Sequence, residues 1–223
     1  MPSNTQNIFQ KLEQKKIKHI VFDLGGVIVT LDPQFTTLEF SILSGKDTRE
    51  INHSHFMNSV FQQYERGEID NEAFRHEVCK LLAVEASDQV IDKCWNAMIV
   101  EVLKVRLEWL KTLKEKYHVS ILSNTNDIHI SFVNDLLKKH HGLDDFSSLV
   151  HNVYYSHEVK MRKPDYGIYH HVLDNAPYLP EETLFLDDNG DNIETALELG
   201  MRTIHVTEPK DIPTLLANEG VQL

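Results

Sequence analysis

Four short, mostly apolar runs each end in polar residues. Asp23 follows residues 17–22, Ser123 follows residues 118–122, Ser156 follows Tyr155, and Asp187-Asp188 follows residues 183–186. Apolar runs of this length, bounded by turn residues, read as buried strands. In an open parallel sheet, ligands bind beyond the carboxyl ends of the strands. Asp23, Ser123, Asp187 and Asp188 are therefore expected to converge on one edge. Helix N-termini at that edge bring free N–H groups and a positive dipole end, which suit an anion. Three carboxylates in one small space raise each other's pKa unless something neutralises them. A hard divalent cation does this, and oxygen ligands with bound waters are what Mg²⁺ prefers. A single acid at a strand end can be a turn cap and nothing more. The whole set, at this spacing, argues for a metal-dependent site.

The elements that must position these residues are legible in outline. Residues 17–22 form the first strand, and Gly25 and Gly26 follow where a tight turn would need them. From about Leu31 to Val102 no comparable buried strand appears. Helical spacings fill that stretch instead: Phe56, Val60, Tyr64; Phe74, Val78, Leu81, Leu82; Val90, Ile91, Cys94, Trp95, Met98. Asp70 and Ser87 stand where N-caps belong. This unit reads as about four helices. Beyond it, helices over residues 103–117, 127–139, 166–174 and 192–199 alternate with strands over 118–122, 149–155, 183–186 and 202–206. Such alternation implies a parallel sheet of β-α-β units. The expected fold class is α/β: a doubly wound, Rossmann-like core over residues 1–31 and 103–223, with an all-helical insert over 32–102. A further amphipathic helix is expected over residues 4–16.

With the runs in view, the chain resembles the haloacid dehalogenase superfamily. Ile20-Val21-Phe22-Asp23-Leu24-Gly25-Gly26-Val27 looks like its first motif, and Ile121-Leu122-Ser123-Asn124-Thr125 like its second. Lys163-Pro164-Asp165 with Ile168-Tyr169 resembles the third. Leu184-Phe185-Leu186-Asp187-Asp188-Asn189 with Asn192-Ile193 resembles the fourth. All four occur in order between Ile17 and His205. The insert matches the position of the family's helical cap. The stretch Tyr64-Glu65-Arg66-Gly67-Glu68-Ile69, with Glu72-Ala73-Phe74, is similar to a bacterial subgroup that includes α-D-glucose-1-phosphate phosphatases.

The resemblance implies a Mg²⁺-dependent phosphatase of small phosphorylated metabolites. Asp23 would be the nucleophile and form an aspartyl-phosphate. Mg²⁺ would be held by Asp23, the Gly25 carbonyl and Asp188. Ser123 and the N–H of Asn124 would hold phosphate oxygens, helped by the N–H of Gly26. Lys163 would stabilise the transition state, and Asp187 and Asn192 would orient the metal ligands.

Two positions depart from the family pattern. Its phosphatases carry a second Asp two residues after the nucleophile, as general acid and base; here that residue is Gly25. Three outcomes stay open: a non-catalytic binding or regulatory protein, another group that protonates the leaving oxygen, or a substrate whose leaving group needs less help. A sugar 1-phosphate is such a substrate, because its anomeric hydroxyl is the more acidic. Lys160 stands where relatives often have Gly, and reads as a solvated loop lysine. Glu65 and Arg66 are expected to close the cap onto the core or to pair with each other. Trp95 reads as cap core or as a wall against a sugar ring.

Charge and composition exclude other classes. The 223 residues hold 22 Lys plus Arg and 34 Asp plus Glu, a formal net charge of −12. That balance argues against nucleic acid and anionic membranes as charge-driven partners. With 41% hydrophobic and 25% charged residues, disorder is excluded. No apolar run reaches membrane-helix length, so a cytoplasmic location is expected. Cys79 and Cys94 are expected to be buried free thiols. The histidines, including His53-x-His55, lack Zn-type spacing with a third ligand. Oligomeric state, monomer or dimer, stays open.

Overall fold

The computed structural model describes residues 15–52 and 55–223. Residues 1–14, which hold nearly all of the helix expected over 4–16, and His53 lie outside them, as do the side chains of residues 52 and 55–58, Phe56 among them. Five parallel strands form one sheet: β1 (His19–Phe22), β4 (His118–Ser123), β5 (Asn152–Tyr155), β6 (Thr183–Asp187) and β7 (Arg202–His205), in the order β5-β4-β1-β6-β7. The chain winds outward from β1 through β4 to β5, then returns to β1's other side for β6 and β7. The crevice of such a sheet lies at that reversal. It falls at the ends of β4, β1 and β6.

β1 is buried along its whole length, so it lacks a polar face and reads as a continuous apolar run. Its side chains alternate between two cores. Ile20 and Phe22 join Leu184 and Leu186 against Leu107, Leu110 and Leu113 of α6 (Lys104–Lys114) and Val133 and Leu137 of α7 (Asp127–His141). Val21 and Phe185 face Ile168, Tyr169 and Val172 of α9 (Tyr166–Asp174) and Ile193 and Ala196 of α10 (Gly190–Glu198). Helices thus cover both faces. A four-residue helix, α8 (Ser156–Val159), precedes α9, and α11 (Ile212–Asn218) closes the first face.

The insert holds α1 (Pro33–Ser44), α2 (Thr48–Asn52), α3 (His55–Glu65), α4 (Asn71–Leu82) and α5 (Asp88–Asn96), one helix more than expected. Asp32 caps α1 through Gln34 N–H at 3.0 Å, and Asp70 caps α4 through Ala73 N–H at 2.8 Å. Ser87 occupies the N-cap of α5 without a side-chain hydrogen bond. Phe40, Val60, Tyr64, Phe74, Val78, Ile91 and Trp95 make a third core, which Ile128 of α7 completes from the sheet side.

One expectation fails at the junction. The stretch read as strand-free contains β3 (Ile99–Val102), antiparallel to β2 (Val29–Leu31). β3 buries only its end residues and leaves Val100 in solvent, and its Ile99 and Val100 directly continue the helical spacing that runs through Trp95 and Met98. β5 starts at Asn152, because Leu149 and Val150 are buried in the preceding turn rather than in the ladder. Cys94 is buried and Cys79 only half-buried, and both are free.

At the opposite end of the sheet, His19 is fully buried. It pairs with Ser120 Oγ at 2.9 Å and packs edge-on to His118. Burial, reinforced by His118 and His151, pushes its pKa down to about 3. The unfolded chain then binds a proton that the folded chain refuses, so stability falls as pH drops from about 6.5 toward 3. Urea unfolding at pH 7 and pH 5 should show a loss of about 2 kcal/mol from this residue. His19→Leu should remove that part of the pH dependence.

Candidate active site

Register brings the strand-end residues together. Phe22 pairs with Ile121 on β4 and with Leu186 on β6, so Asp23 stands level with Asp187 and one step from Ser123. Asp23 N–H donates to Leu186 O at 2.8 Å, which keeps the ladder closed up to the site. Carboxylate oxygens of Asp23, Asp187 and Asp188 lie within 4.8 Å of one another. The expected convergence of three acids is thus present.

Lys163 fills the space between them. Its Nζ donates to Asp23 Oδ1 at 2.7 Å, Asp187 Oδ2 at 2.6 Å and Leu122 O at 2.9 Å. An ammonium has three donors, and all three are used. The side chain is 1% exposed. Burial alone would lower its pKa, but the carboxylates of Asp23 and Asp187 outweigh burial and hold it above the ordinary lysine value. Asn124 fixes the lysine's backbone. Its Oδ1 accepts from Lys163 N–H and its Nδ2 donates to Lys163 O, each at 2.8 Å.

Three of the four lone-pair positions of Asp187 are already taken. Besides Lys163, it accepts from Asn189 N–H at 2.8 Å and Asn192 Nδ2 at 2.9 Å. Asp188 is exposed, and Gly26 lies against it with φ +72. A Cβ on Gly26 would come 2.1 Å from Asp188 Oδ2, so only glycine leaves that carboxylate in place. Burial pushes Asp23 up to about 7; Lys163 opposes this, while Asp187 and Asp188 add to it. Burial and Asp187 raise Asp188 too. Oxygen donors that resist ionisation without a counter-charge suit a hard divalent cation. Asp23 and Asp188 carry the free oxygens for one.

One expected role needs correction. The N–H of Gly26 donates to Val29 O at 2.9 Å, so it is not available to a phosphate oxygen. Lys160 is an exposed loop lysine, as expected, but it sits at φ +59 and its Nζ donates to Gly67 O of the insert at 2.7 Å. Sequence reasoning also missed Ser156. Its Oγ accepts from Thr125 N–H at 2.9 Å and donates to Thr125 O at 3.1 Å, bracing the loop after Ser123. Only its place behind an apolar run signalled it.

The insert closes over this edge. Arg162 pairs with Glu65 at 3.0 Å, and Arg66 with Asp165 at 3.1 Å, so both insert residues close on the core and do not pair with each other. Asn126, the N-cap of α7, accepts from His129 N–H at 3.0 Å and from Trp95 Nε1 at 3.3 Å. Trp95 stacks between Phe61 and His129, so it serves both the insert's core and the site. A cavity of about 110 Å³ remains, bordered by Ser123, Asn124, Gly25, Leu31, Glu65 and Trp95 among others.

Residues 17–200 match the haloacid dehalogenase-like hydrolase family. The chain belongs to that family. It is 30% identical, over 84% of its length and 90% of the other's, to a D-ribitol-5-phosphate phosphatase of Bacteroides thetaiotaomicron. It is 28% identical, over 86% and 90%, to the sesquiterpene phosphatase astK of Aspergillus oryzae. A haloacid dehalogenase family enzyme of Bacteroides thetaiotaomicron superposes with a TM-score of 0.85 at 33% identity, over 91% of this chain and 99% of that one. The same enzyme is known in complex with magnesium and inorganic phosphate, with a TM-score of 0.77 at 34% identity over 84% and 93%. No helix among the described residues is long and apolar enough to cross a membrane.

Asn124→Ala keeps the backbone N–H of residue 124 and removes both bonds to Lys163. Urea unfolding should show a loss of about 1–3 kcal/mol.

Proposed function

We propose that this hydrolase is a Mg²⁺-dependent phosphatase of small phosphorylated metabolites, most of all sugar or polyol phosphates. The observation that carries this reading is the Lys163 ammonium shared by Asp23 and Asp187, with the Asp188 carboxylate beside them. A fixed cation next to a nucleophile suits attack on an anion. The relative that acts on D-ribitol 5-phosphate, and the similar enzyme bound to magnesium and phosphate, support the substrate class and the metal.

In this reading Asp23 attacks phosphorus and forms an aspartyl-phosphate, which water then hydrolyses. Lys163 keeps one Asp23 oxygen oriented and faces the charge that builds on phosphate. Ser123 and the N–H of Asn124 hold phosphate oxygens. Asp23, the Gly25 carbonyl and Asp188 would hold Mg²⁺, whose charge offsets the repulsion between nucleophile and phosphate. Asp187, itself gripped by Asn192, holds Lys163 in place. Residues 32–102 act as a cap that covers the site and selects the substrate. Sugar 1-phosphates are favoured within the class on leaving-group grounds, since an anomeric hydroxyl departs as an anion more readily than an ordinary alcohol.

A second reading, a phosphometabolite-binding or regulatory protein, draws on one observation. No acid follows the nucleophile, and a Cβ at Gly25 would meet Leu31 at 2.5 Å. Phosphate release from a panel of sugar, polyol and alkyl phosphates separates the two. The phosphatase reading expects release with Mg²⁺ and none with a chelator; none in either condition supports the second. Asp23→Asn should lower turnover at least 10³-fold, about the loss of 4 kcal/mol of transition-state stabilisation.

A further inference from the structure

A phosphate monoester departs as an alkoxide unless a proton reaches its oxygen, and a positioned acid is worth about 10²–10⁴-fold. The strand-end carboxylates are committed elsewhere. Asp187 is engaged by Lys163, Asn189 and Asn192, and Asp23 and Asp188 serve attack and metal in the proposed function. Of the side chains bordering the cavity beside Ser123 and Asn124, two are of a type that exchanges protons: Glu65 and His129.

His129 is unsuited to donate. It stacks on Trp95, its Nδ1 is tied to Asn96 Oδ1 at 2.8 Å, and burial pushes its pKa down to about 3.

Glu65 is placed differently. It ends α3 and enters the site from the insert. Arg162 holds it through Oε2 alone, from Nε at 3.1 Å and Nη2 at 3.0 Å. Oε1 has no hydrogen-bond partner among the described residues. The turn behind it is seated firmly: Arg66 pairs with Asp165, and Lys160 Nζ donates to Gly67 O. A Cβ on Gly67 would fall 2.3 Å from His157 O, so the close approach depends on that glycine. Burial raises the Glu65 carboxyl above the ordinary glutamate value against Arg162, Lys163 and Arg66, the cations that face it.

We propose that Glu65, delivered by the insert, is the general acid–base group of this site. The proposal rests on the phosphatase reading. In the first half-reaction an Asp23 oxygen bonds to phosphorus and the bond to the leaving oxygen breaks. That oxygen keeps the electron pair and takes the proton from Glu65, which becomes a carboxylate. In the second half, water bonds to phosphorus and gives a proton to Glu65. The bond to Asp23 breaks, its electron pair returns to the Asp23 carboxylate, and inorganic phosphate departs. Glu65 ends as it began. With this acid, esters of ordinary primary alcohols are substrates alongside sugar 1-phosphates.

The test compares Glu65→Gln with wild type on p-nitrophenyl phosphate and on ribitol 5-phosphate, with Mg²⁺. The value of kcat/KM reports the first half-reaction alone. It should fall 10²-fold or more on ribitol 5-phosphate and less than about threefold on p-nitrophenyl phosphate, whose leaving group needs no proton. Arg162→Met, which breaks the same ion pair but keeps the carboxyl, should change both esters by a similar factor. Equal losses on both esters in Glu65→Gln, matched by Arg162→Met, would reduce Glu65 to a latch and overturn the proposal. If Glu65→Gln does not fold, the wild type decides: a steep decline of kcat/KM with rising leaving-group pKa across alkyl and aryl phosphates overturns it, and a shallow one supports it. Inactivity of wild type on every ester overturns the phosphatase reading itself.

Discussion

The organisation of this molecule depends on one buried ammonium. Lys163 is taken wholly out of water, and an isolated charge there would cost several kcal/mol. Two carboxylates and a carbonyl at 2.6–2.9 Å supply what water did. Those acceptors belong to β1, β4 and β6, so one side chain ties three neighbouring strand ends. The reverse also holds. Asp23 and Asp187, close enough to repel each other, are tolerable because the cation stands between them. Asn124 on one side and Asn192 on the other fix the two ends of this arrangement. Charge placed so rigidly cannot relax around an incoming anion, which is what electrostatic catalysis needs.

The insert adds the second half of the site. Its core is its own, yet Ile128 of α7 completes it, and Trp95 reaches back to Asn126 and His129 at the same helix N-terminus. On the other side the turn at Glu65–Gly67 grips the segment that carries Lys163. These ion pairs are partly exposed and individually weak, whereas the apolar contact is buried. Such a division suits a lid that closes in register but can still open. The antiparallel ribbon of β2 and β3 links the two halves, and its Leu31 occupies the space beside Gly25. The residue that leaves position 25 without a side chain thus belongs to the joint of the lid.

Much of the fold was readable because its signals are local. β1, β4 and β6 are buried on both faces, so their apolar runs stand out, and each ends in the polar residue it presents. The helices announced themselves through period and through caps such as Asp70. β3 was not readable, since its four residues are buried only at the ends and their apolar side chains run on without a break from the helical spacing before them. The contact Lys160 makes is unreadable for a related reason. The lysine is exposed, as its polar loop suggests, but its partner, Gly67, comes from a segment 93 residues away.

The sequence by itself determined the α/β core, the helical insert and the polar ends of the buried strands, through residue type, period and spacing, which the chain carries without folding. Its resemblance to a known family added the motifs and the missing acid at Gly25. Only the tertiary structure decided which groups remain free once the site is assembled. It took the Gly26 N–H for Val29, gave Asp187 three donors from Lys163, Asn189 and Asn192, and left one oxygen of Glu65 without a partner among the described residues. Hydrogen-bond capacity is finite, and its allocation is a property of three-dimensional neighbours rather than of any residue alone.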